Sequence, residues 1–364
     1  MAPLTLILGT VFGDNLTGTD GIDVIFGGRG NDTIAGGLGN DWLFGDSGDD
    51  FLAGDKGDDF MSGGAGNDVL DWDDGDGSDI MSGGSDYDTI EVDGSVTRGD
   101  NFTLEADGHR AIFTRVGLDG QTGVGSFTLT VDTAEAFDVS GDGGNDSFII
   151  GNLGGTGIHK IAFDGGEGDD LFDAQGSHVR VEAFGGSGAD RLLGSQVDDL
   201  LVGGEGVDTM TGAGGRDRFL YNGNPFANGI AAATPNGIVA LNRPDIITDF
   251  TLGHDQFALD GHDLGINSIH FRSGLSNQLT DGNVLVLTDG FANAAAAARA
   301  IDNNQAIDAE AGVFVYFNTT LGISRLVYSE NLGDGGPISV LANLTSLTNV
   351  GNQANFGAQS FTLV

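Results

Sequence analysis

The sequence predicts an all-β protein: a right-handed parallel β-roll or β-helix solenoid, followed by a C-terminal, β-rich capping module with one short helix. Three observations predict this fold. Five nine-residue units follow one another without a gap from Gly27 to Asp71, position six of every unit is aspartate, and position eight is always apolar. A nonapeptide repeat of this kind is typical of a parallel β-helix that binds calcium.

Each unit divides into a turn and a strand. The units read GGRGNDTIA, GGLGNDWLF, GDSGDDFLA, GDKGDDFMS and GGAGNDVLD. The first six residues turn, because glycine permits positive φ and close backbone approach, and the last three form a strand whose position-eight side chain points inward. Two units make one coil of eighteen residues. Asp32, Asp50 and Asp68 are therefore expected on one flank, and Asp41 and Asp59 on the other.

These aspartates are candidate metal ligands. Stacked strands lie roughly 4.8 Å apart, so each flank is a ladder of carboxylates that are too close together to stay without counter-ions. A hard dication takes about six to eight oxygen ligands, and backbone carbonyls would complete its shell. A merely flexible Gly/Asp-rich linker would not keep an apolar residue at every ninth position.

At this point the chain resembles the RTX proteins, which carry haemolysin-type calcium-binding repeats and are secreted by Gram-negative bacteria through type I systems. In that family one ion lies between two stacked turns, shared by positions two, four and six of one turn and positions one, three and six of the next turn on that flank. The resemblance implies several Ca²⁺ ions, held by aspartate side chains and by backbone carbonyls of the other residues. It implies one ion at Gly28, Gly30, Asp32, Gly45, Ser47 and Asp50, a second at Gly37, Gly39, Asp41, Gly54, Lys56 and Asp59, and further ligands at Gly63, Ala65 and Asp68.

The first calcium-binding roll is predicted over residues 1–91. It opens with a strand that carries Leu4, Leu6 and Leu8, and degenerate repeats follow, in which Asp23 stands eighteen residues before Asp41. After the five units the register slips. Asp79 and Asp88 still fall at position six of imperfect units, so they are weaker candidate ligands.

An insert without nonapeptides is predicted over residues 92–140, and a second roll over residues 141–222. The insert segments FTLEADGHRAIFTR and GSFTLTVDTAEAFDVSG alternate apolar and polar residues, which indicates strands that continue the solenoid as a broader β-helix. Repeats then return, with Asp146 and Asp170 at position six. The resemblance implies one ion at Gly186, Gly188, Asp190, Gly203, Glu205 and Asp208, and another at Ser195, Val197, Asp199, Gly212, Gly214 and Asp217.

The capping and secretion module is predicted over residues 223–364, after a boundary rich in Pro, Asn and Gly at 221–240. Alanines in FANAAAAARAIDNN favour a helix from Phe291 to about Asp302. GVFVYFN and SRLVYSE alternate around TTLG, which predicts a hairpin. The last residues, FGAQSFTLV, resemble the C-terminal signal of type I secretion.

Composition and short motifs restrict the classes of partner and of functional site. The chain has 54 acidic and 14 basic residues, for a net charge of −40, which opposes compaction without counter-ions and argues against nucleic acid and anionic membranes as partners. Cysteine is absent, so thiolate metal sites are excluded. The start, MAPLTLILGTVFGDN, has no basic segment and too short an apolar run for a signal peptide or a membrane span. No HExxH motif occurs, which excludes a protease of the serralysin type.

The sequence therefore predicts a secreted, non-catalytic protein that folds on extracellular Ca²⁺ and serves as extracellular structure: a surface layer, a matrix or a self-assembling filament. Its expected partners are the type I secretion machinery and further copies of the chain, joined head to tail through residues 4–12. One alternative is an adhesin or signalling module that binds a glycan or receptor through the insert or the C-terminal module. An enzyme is the third alternative, but the sequence shows no group of residues that is suited to acid–base or nucleophilic catalysis.

Overall fold

The computed structural model describes residues 4–116, 125–227 and 243–364, together with the short strand pair Ala233–Thr234 and Gly237–Ile238. Parts of the predicted insert (117–124) and of the predicted boundary at 221–240 lie outside the described residues. The chain forms two compact units, Met1–Ala183 and Phe184–Val364.

The first unit begins as a parallel β-roll, as the repeats predict. Its strands alternate between two sheets, here called face A and face B. Face A contains Thr5–Leu8, Asp23–Arg29, Trp42–Ser47, Phe60–Ala65 and Ile80–Ser85. Face B contains Asn15–Thr17, Thr33–Ala35, Phe51–Ala53, Val69–Trp72 and Thr89–Asp93. Within each face the strands pair in parallel, so that Ile25 lies beside Leu43 and Ile34 beside Leu52. These pairs confirm the coil of eighteen residues.

The core of the roll is a double column of position-eight side chains. Ile34, Leu43, Leu52, Met61 and Leu70 are all fully buried. Full burial of an aliphatic side chain of this size stabilises a fold by about 1.5–3 kcal/mol. The period of nine therefore provides the hydrophobic contribution that holds each coil on the next.

The register slip after Asp71 is absorbed by a coil of twenty residues. Phe60 pairs with Ile80 and Val69 with Thr89, twenty positions on instead of eighteen. The Trp72 indole N–H donates to the Gly77 carbonyl at 3.0 Å across the loop that holds the extra residues. Because the loop absorbs the insertion, the strands on both sides stay in phase.

The insert departs from the expected broader β-helix on one of its two faces. Its strands are Asn101–Asp107, Arg110–Arg115, Phe127–Asp132 and Ala136–Ser140. The last of these joins face B in parallel. The other three join face A as a meander in which Arg110–Arg115 is antiparallel to both neighbours. A two-residue turn with Gly108 at φ 69° permits the hairpin. The unit continues with Ser147–Ile150, Lys160–Asp164 and Leu171–Asp173. The next strand, Arg180–Gly188, crosses the boundary between the two units.

The second unit contains the second repeat array and the closing module. The repeat strands are Arg191–Leu193, Leu200–Gly206, Thr209–Thr211 and Arg218–Tyr221. The module adds Asp245–Ile247, Gln256–Leu259, Phe271–Gly274, Val284–Phe291, Gly312–Asn318, Ile323–Ser329, Ile338–Leu344 and Phe361–Leu363, with 3₁₀ turns at Val350–Asn355 and Ala358–Ser360.

The closing module extends the repeat array on both sheets. Asp245–Ile247 pairs in parallel with Thr209–Thr211 on one side and with Ile338–Leu344 on the other. On the second sheet, Gln256–Leu259 lies between Arg218–Tyr221 and Phe361–Leu363, again in parallel. The module is therefore built onto the last repeats through ordinary strand pairing.

The predicted hairpin and helix are both confirmed. Gly312–Asn318 and Ile323–Ser329 pair antiparallel around the TTLG turn. The helix runs over Ala294–Asp302, three residues later than predicted. It starts there because the Asn293 side chain accepts the Ala296 N–H at 2.9 Å and caps the first turn.

Candidate metal centre

The position-six aspartates form two hydrogen-bonded ladders in the first roll. On one flank the Oδ1 atom of Asp50 accepts the backbone N–H of Asp32 at 2.7 Å, and Asp68 accepts that of Asp50 at 2.9 Å. On the other flank Asp59 accepts the N–H of Asp41 at 2.6 Å. Each carboxylate therefore lies directly over the next turn of its own flank, in the two sets that the sequence predicts.

The ladders continue through the coil of twenty residues. Asp79 accepts the Asp59 N–H at 2.7 Å, and Asp88 accepts the Asp68 N–H at 2.9 Å. Although the sequence marks Asp79 and Asp88 as weaker candidates, they hold the same position and make the same bond as the aspartates of the regular units.

The second carboxylate oxygen of these aspartates would suit a bound cation. In the part of the chain that the structure describes, these Oδ2 atoms are buried and accept no hydrogen bond. The aspartates concerned are Asp32, Asp41, Asp50, Asp59, Asp68, Asp79, Asp88, Asp146 and Asp208. A buried acceptor without a partner costs about 1–3 kcal/mol, and more when it is charged. A row of them indicates that a bound ion belongs there.

Glycine keeps the space beside each carboxylate open. A Cβ atom placed on Gly36 would lie 2.5 Å from the Gly54 carbonyl oxygen and 2.8 Å from Asp41 Oδ2. Position six of one turn and position one of the next on that flank therefore bring two oxygen atoms to the same point. This convergence fits the sharing of one ion between Asp41 and Gly54, and it excludes any residue with a side chain at Gly36.

The position-three carbonyls bridge neighbouring turns. Those of Ser47, Lys56 and Ala65 each accept a position-four N–H at 2.9 Å. A carbonyl has two lone pairs, so each can still face an ion. The other predicted carbonyl ligands lie either between strands or at the ends of strands that extend into positions one to four of the units. Those between strands are Gly30, Gly37, Gly39, Gly212 and Gly214. Those within strands are Gly28, Gly45, Gly63, Gly186, Gly188, Gly203 and Glu205. Their ligation stays a prediction.

Burial raises the pKa of the ladder carboxyls. The pKa of Asp59 rises to about 8 and that of Asp79 to about 7, chiefly because burial penalises the charged form and further because neighbouring aspartates repel it. The pKa of Asp50 rises to about 6 for the same reasons. Backbone N–H donors oppose the shift but do not cancel it. In the folded roll without a cation, Asp59 and Asp79 would hold protons near neutral pH, whereas Asp50 would lose its proton above about pH 6.

The remaining predicted aspartates occupy equivalent places. Asp170 accepts the N–H of Asp146 at 2.7 Å. In the second unit Asp208 accepts that of Asp190 at 2.9 Å and Asp217 that of Asp199 at 3.1 Å. Burial raises the pKa of Asp217 to about 8.

Two of the predicted ligands are already satisfied by protein donors. The Oδ2 atom of Asp23 accepts the Thr19 N–H at 2.6 Å and the Thr19 hydroxyl at 3.0 Å. Asp199 accepts the Ser195 N–H at 2.6 Å and the Ser195 hydroxyl at 3.0 Å. In both turns a hydroxyl residue replaces the glycine of position two, so these carboxylates have less need of an ion than those of glycine-containing turns.

Sequence reasoning missed five acidic members of the ladders. The Asp14 N–H donates to Asp32 Oδ1, as the equivalent N–H groups of the regular units do. Asp14 stands eighteen residues before Asp32, and this spacing could have revealed it. Asp255 accepts the Asp217 N–H at 3.1 Å, and it is position six of the unit FTLGHDQFA, where Gly253 and Phe257 hold positions four and eight. The other three, Asp100, Glu135 and Asp245, follow insertions, so no regular spacing points to them.

An arginine supplies the positive charge at one of these places. Arg115 is buried, and its guanidinium lies 2.5 Å from Asp100 Oδ1 and 2.5 Å from Asp74 Oδ1. Its charge centre also lies 6.0 Å from the Trp72 ring. Burial raises the pKa of Asp100, while the Ser95 N–H and Arg115 oppose the rise. The insert layer therefore carries its own cation where the regular coils leave a carboxylate oxygen without a partner.

The geometry defines a parallel β-roll whose turns are built to hold oxygen-coordinated cations. A family model for the RTX calcium-binding nonapeptide repeat matches the chain four times, at residues 8–43, 35–70, 73–91 and 184–219. The chain therefore carries RTX repeats, which imply Ca²⁺ binding and are characteristic of secreted proteins of Gram-negative bacteria. No curated protein matches the chain. Among the described residues, no helix has both the length and the apolar character needed to cross a membrane.

Proposed function

We propose that this protein is secreted, folds on extracellular Ca²⁺ without catalysing a reaction, and serves as extracellular structure: a surface layer, a matrix or a filament. The observation that carries the proposal is the row of buried carboxylate oxygens without partners. Such a roll opposes its own folding where calcium is scarce, and ion binding contributes folding free energy where calcium is abundant. The chain would thus pass a type I secretion channel unfolded and become rigid outside the cell.

An apolar stripe on the outer side of face A supports self-association. The stripe consists of Leu6, Val24, Trp42, Phe60 and Ile80, which are cross-strand neighbours along the roll. Leu6, Trp42 and Ile80 are 60%, 57% and 52% exposed. An exposed apolar surface of this extent is typical of an interaction site.

The first coil supports a head-to-tail contact. In this coil the apolar side chains of Leu4, Leu8, Val11 and Phe12 are 61–75% exposed. Among the described strands, Thr5–Leu8 pairs with Asp23–Arg29 alone, so its outer edge carries free backbone donors and acceptors. A contact between this edge and a different surface of another copy is heterologous, and it extends into a filament when its rotation does not close a ring.

Sedimentation of the full chain tests the proposal. With millimolar Ca²⁺ we expect large species that electron microscopy shows as filaments or layers, and with chelator we expect an unfolded monomer. The variant Leu6→Asp/Leu8→Asp should fold with calcium and stay monomeric, whereas Ile149→Asp, at a 46% exposed apolar position of the same unit, should assemble normally. A folded wild-type monomer at high calcium and high protein concentration would refute the structural role.

A binding module is the second candidate, because an aromatic platform formed by Trp42, Phe44 and Phe60 overlaps the stripe. The rings of Trp42 and Phe44 lie 6.4 Å and 5.7 Å from that of Phe60, and Asp58 lies beside them in a shallow cleft. Aromatic faces flanked by an acceptor suit a neutral glycan. Binding of the calcium-loaded chain to a glycan array, with loss in Trp42→Ala, would favour this candidate.

A further inference from the structure

The insert contributes four strands, here called the insert layer: Asn101–Asp107, Arg110–Arg115, Phe127–Asp132 and Ala136–Ser140. Their contacts are more local in sequence than those of the regular coils. The first two strands pair antiparallel across a two-residue turn, whereas neighbouring strands in the regular coils pair eighteen residues apart. Closing a loop costs more entropy as the loop grows, and contacts close in sequence form fastest. The insert layer can therefore form before the coils on either side.

The core of the insert layer is aromatic. The ring centroid of Phe113 lies 5.1 Å from that of Phe102 and 6.0 Å from that of Phe127. It lies 5.9 Å from that of Phe137, which belongs to the face B strand of the layer. All four residues are 5% exposed or less. Aromatic pairs in such contact stabilise a fold beyond the area that they bury, a contribution that the aliphatic column of position-eight side chains lacks.

The insert layer also balances its ladder carboxylates without calcium. On one flank the Arg115 guanidinium lies 2.5 Å from Asp100 Oδ1, and both side chains are buried. On the other flank Glu135 accepts the Asp88 N–H at 2.9 Å, and Glu135 itself is only half-buried. The regular coils differ, because Asp50 Oδ2 is buried without a hydrogen-bond partner among the described residues. A buried charge without a partner opposes folding, so the regular coils depend on an ion to a degree that this layer does not.

We propose that the insert layer is the nucleus on which the first unit folds when calcium is supplied. Both of its edges are templates for further strands. Towards the N-terminus it pairs in parallel with Ile80–Ser85 and Thr89–Asp93, and towards the C-terminus with Ser147–Ile150 and Lys160–Asp164. Once the layer has formed, each added coil meets a finished neighbour and has only its own ions to bind. This inference rests on the calcium-dependent folding of the proposed function and adds an order to it.

Pulse-labelling hydrogen exchange, measured by mass spectrometry, tests the order of folding in the full chain. Calcium is added to the chain in chelator, and backbone protection is followed segment by segment. Protection of Arg110–Arg115 and Phe127–Asp132 should appear roughly tenfold or more earlier than that of Trp42–Ser47 and Phe51–Ala53. Simultaneous protection, or earlier protection of the regular coils, would overturn this inference and leave the proposed function intact. Equal protection in chelator and in calcium would overturn both.

Two pairs of variants connect the order to the features that explain it. Arg115→Met removes the resident cation and should abolish the lead of the insert layer, whereas Arg110→Met, on the same strand but 53% exposed, should keep it. Phe113→Leu keeps an apolar core and should slow the protection of the layer, whereas Ile34→Val, in the core of the regular coils, should leave that rate unchanged. The second pair decides if Arg115→Met does not fold. A lead that persists in Arg115→Met, or an unchanged rate in Phe113→Leu, would overturn the inference.

Discussion

Replacing Asp50 by asparagine isolates the charge of one ladder carboxylate from its hydrogen bonds. The Oδ1 atom of Asp50 accepts the Asp32 N–H at 2.7 Å, and an asparagine oxygen can accept it as well. Asp50 Oδ2, by contrast, is buried and has no hydrogen-bond partner among the described residues. There the variant places an NH₂ group, which repels a cation. The side-chain volume and the turn are unchanged, so the effect reports the ion.

The effect should change sign with calcium. With calcium bound, losing one partner of a buried charge interaction should lower the free energy of unfolding by about 3–5 kcal/mol. Without calcium the same change should stabilise whatever fold persists at pH 8, because the pKa of Asp50 is raised to about 6 by burial and the ionised carboxylate opposes folding above that pH. If Asp50 interacted with protein donors alone, the substitution would change the free energy of unfolding in the same direction with and without calcium.

Urea unfolding followed by circular dichroism, in excess calcium and in chelator, measures both effects. Asp49→Asn is the matched control, because it removes the same charge from the adjacent exposed position, where the carboxylate accepts the Asn67 N–H at 2.9 Å. It should shift the free energy of unfolding by about 0.5 kcal/mol or less. Equal losses for Asp50→Asn with and without calcium would refute the reasoning.

Three further predictions concern the calcium midpoint, the stability in chelator and the resident cation. Asp50→Ala should raise the calcium midpoint of folding more than Asp23→Ala, because Asp50 would serve two ions and Asp23 is satisfied by protein donors; equal midpoints in a circular-dichroism titration would contradict this. Any fold that persists in chelator should be less stable at pH 8 than at pH 6. The folded, calcium-free chain binds more protons than the unfolded chain between pH 3.8 and about 8, the raised pKa of Asp59, so its stability declines as pH rises through that window; equal free energies of unfolding in chelator at the two pH values would argue against buried carboxyls in the ladders. Arg115→Met should lower the free energy of unfolding by about 3–5 kcal/mol in excess calcium, because it leaves Asp100 buried without its cation. The control Arg110→Met, on the same strand but 53% exposed, should cost about 1 kcal/mol or less, and similar losses in urea unfolding would exclude a special role for Arg115.

The sequence by itself determined the roll and its regular ladders. A period of nine with aspartate at six and an apolar residue at eight places Leu43 in the core and Asp41 beside Asp59 without any long-range information. The reason is that a solenoid repeats one local geometry, so each coil meets only its neighbours. The hairpin around TTLG and the alanine-rich helix could likewise be predicted from the sequence, because turn residues and helix propensity act locally.

Only the tertiary structure decided the features that depend on partners distant in sequence. Asp245 accepts the Asp208 N–H across 37 residues, whereas the regular bond from Asp190 to Asp208 spans 18, and no period survives such an insertion. In the sequence, Arg115 is an ordinary arginine of an alternating strand. Its contact with Asp100 exists because the meander on face A places the two residues side by side. The carboxylates of Asp23 and Asp41 look alike in sequence, but one accepts the Thr19 hydroxyl and the other has a buried oxygen without a partner. Hydrogen bonding and burial belong to the folded environment, and they separate the carboxylates that need an ion from those that do not.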